Sequence, residues 1–569
     1  MTDPPQTLCA LLEESSKRYG DRLAVIDGAL RMSYAELAAE VRAMARALMA
    51  VGVQPGDRVA VWLPNTAHWL IAALGAHSAG ASLVPMNTRY TGYEALDVLR
   101  RTGARVLFLP DRFLGADYLA ALREAAVQSG PAHSEPARSE PARSEPARSE
   151  SAQQGFATAS GPVQGLPQLE LAVHVPLAGR DQARGSGAEP AAPNGVASWE
   201  RMLERAGETG EQSARDRAAR VRADDVADII FTSGTTGVPK GAVSTHRQTV
   251  AVAAAWADRA EVTEHDVYLI VAPFFHTFGY KAGWVVALLC GATILPQLTF
   301  DIERVVEQIE RERVTILPGP PTIFQELLAS PQRDEHDLSS LRLAVTGAAM
   351  VPVALVERMR KDLTFETILT AYGLTEAVVV TMCRPGDDAE TISATSGCAT
   401  ADFEIRIAGA DGQEMAPEED GEILLRGPNV MVGYLDDPAA TRGAIEPDGW
   451  LHTGDVGHLD KRGYLTITDR LKDMFTVGGF NVYPAEVENV IMRLSAVADC
   501  AVVGTPDERL GEVGLAYVVT AAGQPLSEQD VVAHCRERLA NFKVPRAVVF
   551  ISKLPRNAGG KVLKRELRG

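Results

Sequence analysis

The chain lacks the features that mark secreted, membrane-spanning and zinc-stabilised proteins. It has six cysteines in 569 residues and no Cys-x-x-Cys pair, so it contains neither a disulfide framework nor a zinc-site spacing. No uninterrupted apolar run approaches the roughly 20 residues of a membrane span. The first residues, Met1 to Pro5, show no basic region followed by an apolar one, so a secretory signal is not expected. We therefore expect a cytoplasmic protein without an integral membrane segment.

Positive charge is also scarce. Lysine and arginine number 56 against 74 acidic residues, for a net charge of −18, which disfavours a general affinity for nucleic acid or anionic lipid. Hydrophobic residues make up 46% and charged residues 23%, close to the averages of soluble globular proteins, so global disorder is excluded. Single cores rarely exceed about 250–300 residues. The composition therefore predicts a multidomain, enzyme-sized protein.

Helical patterns alternate with short apolar strands along most of the chain. Residues 34–51 carry apolar side chains at helical spacing, and residues 58–63 and 82–85 are typical of buried strands. Strands that alternate with helices predict parallel sheets covered by helices, so we expect an α/β fold. After a polar stretch near residue 470, the pattern predicts a small α+β unit. The expected domains are residues 1–470 and residues 471–569.

One segment breaks this organisation. Three copies of Ser-Glu-Pro-Ala-Arg occupy residues 134–148. Proline at every fifth position prevents a regular helix, and balanced Glu and Arg leave nothing to bury. We expect a disordered surface insertion over residues 129–160. A partner-binding segment is the alternative.

The sharpest chemical signal is Thr-Ser-Gly-Thr-Thr-Gly-Val-Pro-Lys-Gly at residues 232–241, directly after the apolar residues 229–231. Glycines and hydroxyls at a strand end can wrap phosphate oxygens with backbone N–H groups, while Lys240 offers positive charge. The loop is not a Walker A motif, because no Gly-Lys-Ser/Thr occurs and residues 241–243 are typical of a returning strand. An ordinary hairpin loop is the alternative.

Four further motifs follow this loop. They are Tyr-Gly-Leu-Thr-Glu at 372–376, Gly-Trp-Leu-His-Thr-Gly-Asp at 449–455, Thr-Asp-Arg-Leu-Lys-Asp at 468–473 and Pro-Arg-Asn-Ala-Gly-Gly-Lys at 555–561. In their order and spacing the chain resembles the adenylate-forming superfamily of acyl-CoA synthetases, luciferases and peptide-synthetase adenylation domains. The resemblance implies a large N-terminal region of helix-covered sheets and a small mobile C-terminal domain, and it implies ATP, Mg²⁺ and coenzyme A as ligands.

The resemblance also implies residue roles on the nucleotide side. The implied ATP-binding residues are Thr232, Ser233, Gly234, Thr235, Thr236, Gly237, Lys240, Gly347, Ala348, Ala349, Tyr372, Gly373, Thr375, Asp455, Arg470 and Lys561. Thr232 and Glu376 would hold Mg²⁺, which prefers oxygen ligands and keeps several waters. Asp455 would accept the ribose hydroxyls. Outside their motifs, Glu376 would be typical of a surface carboxylate and Asp455 of a turn residue.

The catalytic residues implied by the resemblance are Lys561, His276 and Glu376. Lys561 would reach both the substrate carboxylate and the α-phosphate, in a tail of residues 540–569 with eight basic residues and one acidic residue. His276 is interpreted as a gate between the carboxylate and the thiol route. Lys472 would be the hinge between domains. The loop of Gly478, Gly479 and Phe480 would line the coenzyme A tunnel, with a simple tight turn as the alternative.

The expected acyl pocket consists of Phe275, His276, Tyr280, Lys281, Gly319 and Pro320. Residues 271–290 contain no Asp or Glu, which disfavours an amino-acid substrate. Tyr280 and Lys281 depart from the apolar pattern of simple fatty-acid members, and each can donate a hydrogen bond to a substrate carbonyl. The alternative is that Lys281 extends its ammonium group to solvent.

Segments 274–283, 317–322, 425–434 and 478–486 resemble actinobacterial CoA ligases of sterol-ring catabolism, which activate a hydrindane-dione propanoate. The hypothesis is an AMP-forming acid:CoA ligase that works through an acyl-adenylate. Three alternatives stay open: an acyl-AMP ligase that loads a carrier protein, a medium- or long-chain fatty acyl-CoA synthetase, and a nucleotide-binding protein without catalysis. The oligomeric state also stays open, with a homodimer as one option.

Overall fold

The computed structural model describes residues 5–129, 161–177, 195–232, 239–347, 351, 353–400, 402–409, 412–470, 475–482, 484–521, 524–555, 562 and 564–568. By its internal contacts the chain divides into two compact units, residues 7–228 and residues 229–569 together with 1–6. Within the described ranges, no helix is both long and apolar enough to cross a membrane.

The unit of residues 7–228 is built on a parallel sheet. Its strands are β1 (Leu23–Asp27), β2 (Leu30–Ser33), β3 (Arg58–Val61), β4 (Ser82–Pro85), β5 (Val106–Pro110), β6 (Leu171–Val175) and β7 (Val196–Ser198). Its helices are α1 (Leu8–Tyr19), α2 (Tyr34–Ala50), α3 (Ala67–Ser78), α4 (Gly92–Thr102), α5 (Tyr118–Ser129), α6 (Trp199–Glu204) and α7 (Glu211–Ala219). The parallel order is β4-β3-β5-β6-β7, and β1 pairs with β2 as an antiparallel hairpin.

The second unit opens with the strands that carry most of the predicted site residues. Its strands up to residue 470 are β8 (Val226–Thr232, which begins in the first unit), β9 (Lys240–Thr245), β10 (Val267–Ile270), β11 (Thr293–Pro296), β12 (Ile316–Pro318), β13 (Leu343–Gly347), β14 (Thr367–Tyr372), β15 (Thr381–Met382), β16 (Cys398–Ala399), β17 (Glu404–Ala408), β18 (Gly421–Arg426), β19 (Gly433–Tyr434), β20 (Leu451–Leu459) and β21 (Leu465–Arg470). Its helices over the same span are α8 (His246–Arg259), α9 (Thr277–Gly279), α10 (Val285–Cys290), α11 (Ile302–Glu312), α12 (Pro321–Ala329), α13 (Val353–Asp362), α14 (Ala389–Ala394) and α15 (Pro438–Ala444).

Five of these strands run parallel, in the order β14-β13-β12-β10-β11. Their carboxyl ends therefore lie along one edge of the sheet. Residues 271–276, 318–320, 347 and 372–376 all follow or close these strands. Open α/β sheets bind ligands outside the carboxyl ends of their strands, so the fold brings these predicted segments to the edge at which a site is expected.

An antiparallel sheet in the order β17-β18-β20-β21 lies beside this edge. Ile423, Leu425 and Leu451 of this sheet share one buried core with Tyr372 and Ala377, which lie at and after the end of β14. Burial of these side chains fixes the antiparallel sheet against the end of the parallel one, because each large apolar side chain gains roughly 1.5–3 kcal/mol on burial.

The C-terminal part forms its own sheet and core. It consists of β22 (Phe475–Val477), β23 (Phe480–Val482), β24 (Val497–Asp507), β25 (Gly511–Thr520), β26 (Ala547–Phe550), α16 (Pro484–Ile491) and α17 (Glu528–Arg538). Phe475, Val487, Val502 and Val531 belong to one buried cluster that joins the sheet to both helices. The start of α17 is fixed by a capping box in which Ser527 and Asp530 satisfy each other's backbone N–H groups.

The predicted α/β architecture with a small C-terminal α+β part is confirmed, and so are the elements expected at residues 34–51, 58–63 and 82–85. In the C-terminal part, α16 begins at Pro484, a residue suited to the first helical position. The predicted domain boundary near residue 470 stays a prediction. It adjoins residues 471–474, outside the described part of the chain, and the repeats at 134–148 lie outside it as well.

Candidate active site

A tight turn after β14 presents Glu376. A Cβ atom on Gly373 would lie 1.4 Å from the carbonyl oxygen of Val378, so only glycine fits the start of this turn. Val378 itself has a positive φ of 58°, a conformation that β-branched residues rarely adopt. Thr375 lies within the turn, partly buried. The backbone is therefore strained close to Glu376, the predicted magnesium ligand. Backbone strain of this kind is common at functional sites.

Glu376 contacts two groups from elsewhere in the sequence. The hydroxyl of Tyr434 donates a 2.9 Å hydrogen bond to Glu376 Oε1, and Lys240 Nζ lies 4.9 Å from the centroid of the Tyr434 ring. Tyr434 thus links the lysine of the glycine-rich loop to the carboxylate through a cation–π contact and a hydrogen bond. Thr232 and Lys240, at the two ends of that loop, lie close enough for Thr232 Oγ1 to approach the Lys240 carbonyl at 3.5 Å.

The electrostatics of Glu376 suit a bound cation. Burial raises the pKa of its carboxyl group, and the charge of Asp455 adds to this, whereas the Tyr434 hydrogen bond and Lys240 oppose it. A carboxylate held in surroundings that penalise its charge gains most when a cation joins it. The donors here, one carboxylate and one hydroxyl, are oxygen atoms of the kind that Mg²⁺ prefers. No group of three or more His, Cys, Asp or Glu side chains with metal-binding geometry occurs among the described residues.

Tyr372 joins the end of β14 to Asp455. Its hydroxyl donates a 2.7 Å hydrogen bond to Asp455 Oδ2. Gly347, at the end of β13, pairs with Ala371 beside Tyr372, and a Cβ on Gly347 would lie 2.6 Å from the Ala371 carbonyl oxygen. The predicted adenine-side glycine and the predicted ribose acceptor are therefore neighbours of the same tyrosine.

Asp455 lies at the end of a β-bulge in β20. Glu422 pairs with Val456 and Leu424 with His452, so residues 453–455 lie opposite Ile423 alone. Gly454, in the middle, has a φ of +72°, which glycine adopts without steric cost. A bulge re-aims a side chain by interrupting the regular ladder, and here that side chain is Asp455.

Side chains replace the hydrogen bonds that the bulge removes. The Thr453 hydroxyl donates to the Ile423 carbonyl oxygen at 2.7 Å and accepts from the Asp455 N–H at 3.0 Å. Glu422 Oε1 accepts from the Gly454 N–H at 3.3 Å. Arg470 pairs with Asp455 across the strands β20 and β21, although its side chain is not among those described.

His276 follows the parallel strand β10 and caps a short helix. Its Nδ1 accepts a 3.2 Å hydrogen bond from the N–H of Phe278, so in the neutral ring the proton is on Nε2. The imidazole is accessible, yet enough protein surrounds it that burial lowers its pKa to about 4. At neutral pH, His276 therefore presents an uncharged ring with Nε2–H as its available donor.

The segment after His276 is helical and buried. The helix α9 passes into one wide turn of π-helix at Tyr280–Trp284, a rare geometry that is frequent at functional sites. Tyr280 is 0% and Lys281 1% exposed. The Tyr280 ring stacks on Trp284 with centroids 4.9 Å apart, and Lys281 Nζ lies 5.8 Å from the Tyr280 ring centroid. The alternative that Lys281 extends to solvent is therefore wrong.

The glycine loop of the C-terminal part approaches the acyl-side residues. Gly478 and Gly479 form the turn between β22 and β23, and both have positive φ angles, as in the tight hairpin turns that favour glycine. A Cβ on Gly479 would lie 3.9 Å from Pro320 Cγ. Phe480, the next residue, stacks on Phe542 at 4.7 Å. These residues therefore form a tight turn, and their role in lining a coenzyme A tunnel stays a prediction.

The structure also describes two further residues of the predicted acyl pocket. Phe275 is buried beside His276. A Cβ on Gly319 would lie 2.6 Å from Ile323 Cδ1, so the end of the Ile323 side chain would have to shift to accommodate it. The remaining predicted site residues, Ser233, Gly234, Thr235, Thr236, Gly237, Ala348, Ala349, Lys472 and Lys561, lie outside the described part of the chain.

The sequence analysis did not assign several polar residues that organise the site. They are Tyr434, Glu422, Thr453, His452 and Glu446. Tyr434, for example, contacts Glu376 across 58 positions of sequence. His452 and Thr453 lie within the Trp-Leu-His-Thr-Gly-Asp motif, so their position in the sequence already indicated that they lie close to the site.

Comparisons with known proteins identify the family. The model of the AMP-binding enzyme family matches residues 12–435, and that of the AMP-binding enzyme C-terminal domain matches residues 486–561. The chain belongs to the AMP-binding enzyme family. The resemblance to adenylate-forming acyl-CoA synthetases drawn from the motifs is thereby confirmed.

Two named relatives align over the whole chain. One is 3-[(3aS,4S,7aS)-7a-methyl-1,5-dioxo-octahydro-1H-inden-4-yl]propanoyl:CoA ligase of Rhodococcus jostii (strain RHA1), 51% identical over 100% of this chain and 99% of the relative. The ligase of the same name from Mycobacterium tuberculosis (strain ATCC 25618 / H37Rv) is 49% identical over 100% of this chain and 99% of its own. Among solved structures, o-succinylbenzoate CoA synthetase (MenE) from Bacillus subtilis, bound to a product analogue, matches with a TM-score of 0.75 and 27% identity over 98% of both chains.

Proposed function

We propose that the chain is an AMP-forming carboxylic acid:CoA ligase that works through an acyl-adenylate. A carboxylate oxygen of the substrate attacks the α-phosphorus of ATP, the bond to the β-phosphate oxygen breaks, and pyrophosphate leaves. The sulfur of coenzyme A then attacks the acyl carbon, the bond to the AMP oxygen breaks, and AMP leaves with the bonding pair. The observation that carries this proposal is the convergence of Lys240, Tyr434, Glu376, Tyr372 and Asp455 at one sheet edge, within a family whose relatives form acyl-CoA.

Each proposed nucleotide-binding residue contacts the part of ATP that suits its charge. Asp455, oriented by Tyr372, accepts from the ribose hydroxyls, and Lys240 contributes positive charge toward the phosphates. Thr232 and Glu376 would hold Mg²⁺ through oxygen atoms, and a bound ion would supply positive charge beside the phosphates. Lys561 reaches the substrate carboxylate and the α-phosphate in the first step. Attack of one anion on another needs fixed positive charge at the position where negative charge develops.

His276 acts as a donor and gate. Because its pKa is lowered to about 4, it stays neutral at working pH and cannot serve as a cation. Its Nδ1 already accepts from the backbone, so the ring is not oriented to remove a proton with that atom. Nε2–H is free to orient an oxygen of the substrate carboxylate.

The substrate we propose is a bulky bicyclic acid with ring ketones, like the one in the names of the two ligases about 50% identical to this chain. A ring ketone is a hydrogen-bond acceptor, and Tyr280 and Lys281 are buried donors in the acyl segment.

The first experiment measures pyrophosphate and AMP release from ATP across a panel of acids, with and without coenzyme A. The panel holds short, medium and long fatty acids, aromatic acids and the hydrindane-dione propanoate. We expect CoA-dependent turnover to be greatest on the bicyclic acid. Preference for a plain fatty acid would retain the ligase and reject the sterol-derived substrate. Pyrophosphate release that coenzyme A never accelerates would favour transfer to a carrier protein.

A second experiment separates the two steps. Lys561→Ala should lower adenylate formation by about 10²–10³, the typical effect of removing one donor to developing charge. It should leave thioester formation from supplied acyl-adenylate nearly unchanged. Substitution of Lys472, at the proposed hinge, should instead slow thioester formation more than adenylate formation. Equal loss of both half-reactions in Lys561→Ala would reject the role of that lysine.

A further inference from the structure

His452 lies between two carboxylates. Its Nδ1 is 3.0 Å from Glu422 Oε2, and its Nε2 is 3.0 Å from Glu446 Oε1. An ionised carboxylate only accepts hydrogen bonds, and a neutral imidazole carries only one N–H. Both contacts can be hydrogen bonds only when both ring nitrogens are protonated. With both carboxylates ionised, this geometry therefore requires an imidazolium.

The surrounding charges support this protonation state. Glu446 also pairs with Arg406 at 3.4 Å, and Arg406 lies 4.6 Å from the centroid of the Trp450 ring. Arg426 lies 4.7 Å from the same ring centroid, and its guanidinium forms an ion pair with Glu404. Around the imidazole, the two facing carboxylates are thus balanced by His452 and Arg406.

The pKa of His452 follows from this arrangement. Partial burial alone would lower it, but the hydrogen bonds and charges of Glu422 and then Glu446 outweigh burial, and the pKa lies above its ordinary value. The ordinary value for histidine is about 6.5. The charged form therefore persists to higher pH than it would in an exposed histidine.

The imidazolium is linked to Asp455 through one shared carboxylate. Glu422 accepts from His452 with Oε2 and from the Gly454 N–H with Oε1. Gly454 is the centre of the bulge that aims Asp455, and the Asp455 carboxylate accepts a hydrogen bond from the Tyr372 hydroxyl. The orientation of the Glu422 side chain thus determines whether the Gly454 N–H keeps its hydrogen-bond acceptor.

We propose that His452 is a positioning residue for nucleotide binding, which as an imidazolium fixes Glu422 and through it the Gly454–Asp455 bulge. This inference rests on the proposed function, in which Asp455 binds the ribose. When His452 loses a proton, one ring nitrogen presents a lone pair to a carboxylate oxygen. The contact between these two atoms is then repulsive. Nucleotide affinity is therefore full below the pKa of His452 in the folded protein and falls as the pH rises through it.

The test measures the dissociation constant of AMP calorimetrically on the full chain between pH 7 and pH 9.5. This range lies above the second phosphate pKa of about 6, so the ligand keeps one charge state. For the wild-type protein we expect affinity to fall about tenfold across the range, the effect of losing one charge-assisted hydrogen bond. His452→Gln should bind weakly at pH 7 and show little further change.

The control is His458→Gln. His458 lies on the same strand, but its ring contacts the carboxylates of Asp420, at 2.8 Å, and Glu418, at 3.9 Å, rather than that of Glu422. This variant should keep the wild-type pH dependence. A second readout is the imidazole NMR titration of ¹³C-labelled histidines, in which the signal lost in His452→Gln should titrate above 6.5. Glu446→Gln should shift that titration to lower pH, and with it the loss of AMP affinity.

Wild-type affinity that is constant over this range would overturn the inference, and so would a His452→Gln protein with unchanged pH dependence. If His452→Gln does not fold, the Glu446→Gln shift decides the question alone. Failure of the proposed function would look different. In that case Asp455→Asn would bind AMP as tightly as the wild type, or the wild type would not bind AMP at all.

Discussion

The segment that carries Asp455 and the segment that carries Lys281 both belong to the candidate site, but different forces hold them. Residues 452–455 are partly exposed and depend on charged and polar contacts, from Glu422, Glu446 and Thr453. Residues 277–284 are almost wholly buried and depend on close packing around a π-helical turn. The structure of residues 452–455 should therefore be sensitive to pH and to the replacement of single polar side chains. The structure of residues 277–284 should be sensitive to changes in side-chain volume.

The strongest test of this contrast is Gly279→Ala in the buried segment. A Cβ there would lie 2.3 Å from the backbone oxygens of both Ala272 and Pro273, and backbone oxygens cannot yield as flexible side chains do. We expect a loss of about 3 kcal/mol, at the upper end of overpacking costs. Thermal unfolding measures it, and acid-dependent turnover should fall in parallel.

Gly283→Ala is the matched control for this substitution. Its Cβ would lie 3.1 Å from the Phe278 carbonyl oxygen and 3.4 Å from an Ile270 methyl group, so a small adjustment accommodates it. Equal stability of the two variants would contradict the view that close packing determines the shape of this segment.

The second test replaces the buried charge with a side chain of similar length. Lys281→Met should leave the protein folded, because the unbranched, flexible methionine side chain fills nearly the same space in the core. It should lower kcat/KM on the hydrindane-dione propanoate by about thirtyfold, or roughly 2 kcal/mol, the value of a hydrogen bond with a charged donor. Turnover of an alkyl acid of similar size, assayed in parallel, should not fall. Equal losses on both acids would assign Lys281 a purely structural role.

The two segments also differ in how far the sequence could predict them. Glu376 and Asp455 stand in short motifs whose order and spacing indicated the family, and the roles proposed for them required no knowledge of distant contacts. The burial of Lys281 could not be predicted. A lysine in an apolar helical pattern extends to solvent or remains inside according to packing that the pattern does not contain.

The same limit applies to the polar network. Glu422 and Glu446 approach His452 from 30 and 6 positions away, and the bulge that brings them together arises from a register shift between β18 and β20. Strand pairing of this kind is a long-range property. The local sequence could indicate glycine at position 454 but not the carboxylate that binds its N–H.

The smallest expected effect is on the nucleotide side, with Tyr372→Phe. The change removes one 2.7 Å hydrogen bond to Asp455 and leaves the buried ring in its core. A single hydrogen bond contributes about 1 kcal/mol net, so the dissociation constant of AMP should rise about fivefold, with the unfolding temperature little changed. Tyr434→Phe is the matched comparison, since it removes the hydrogen bond to Glu376 instead and should alter Mg²⁺-dependent turnover more than AMP binding. If Tyr372→Phe bound AMP normally but unfolded at a lower temperature, Tyr372 would act through packing rather than through its hydrogen bond, and the contrast between a polar nucleotide side and a packed acyl side would not hold at this residue.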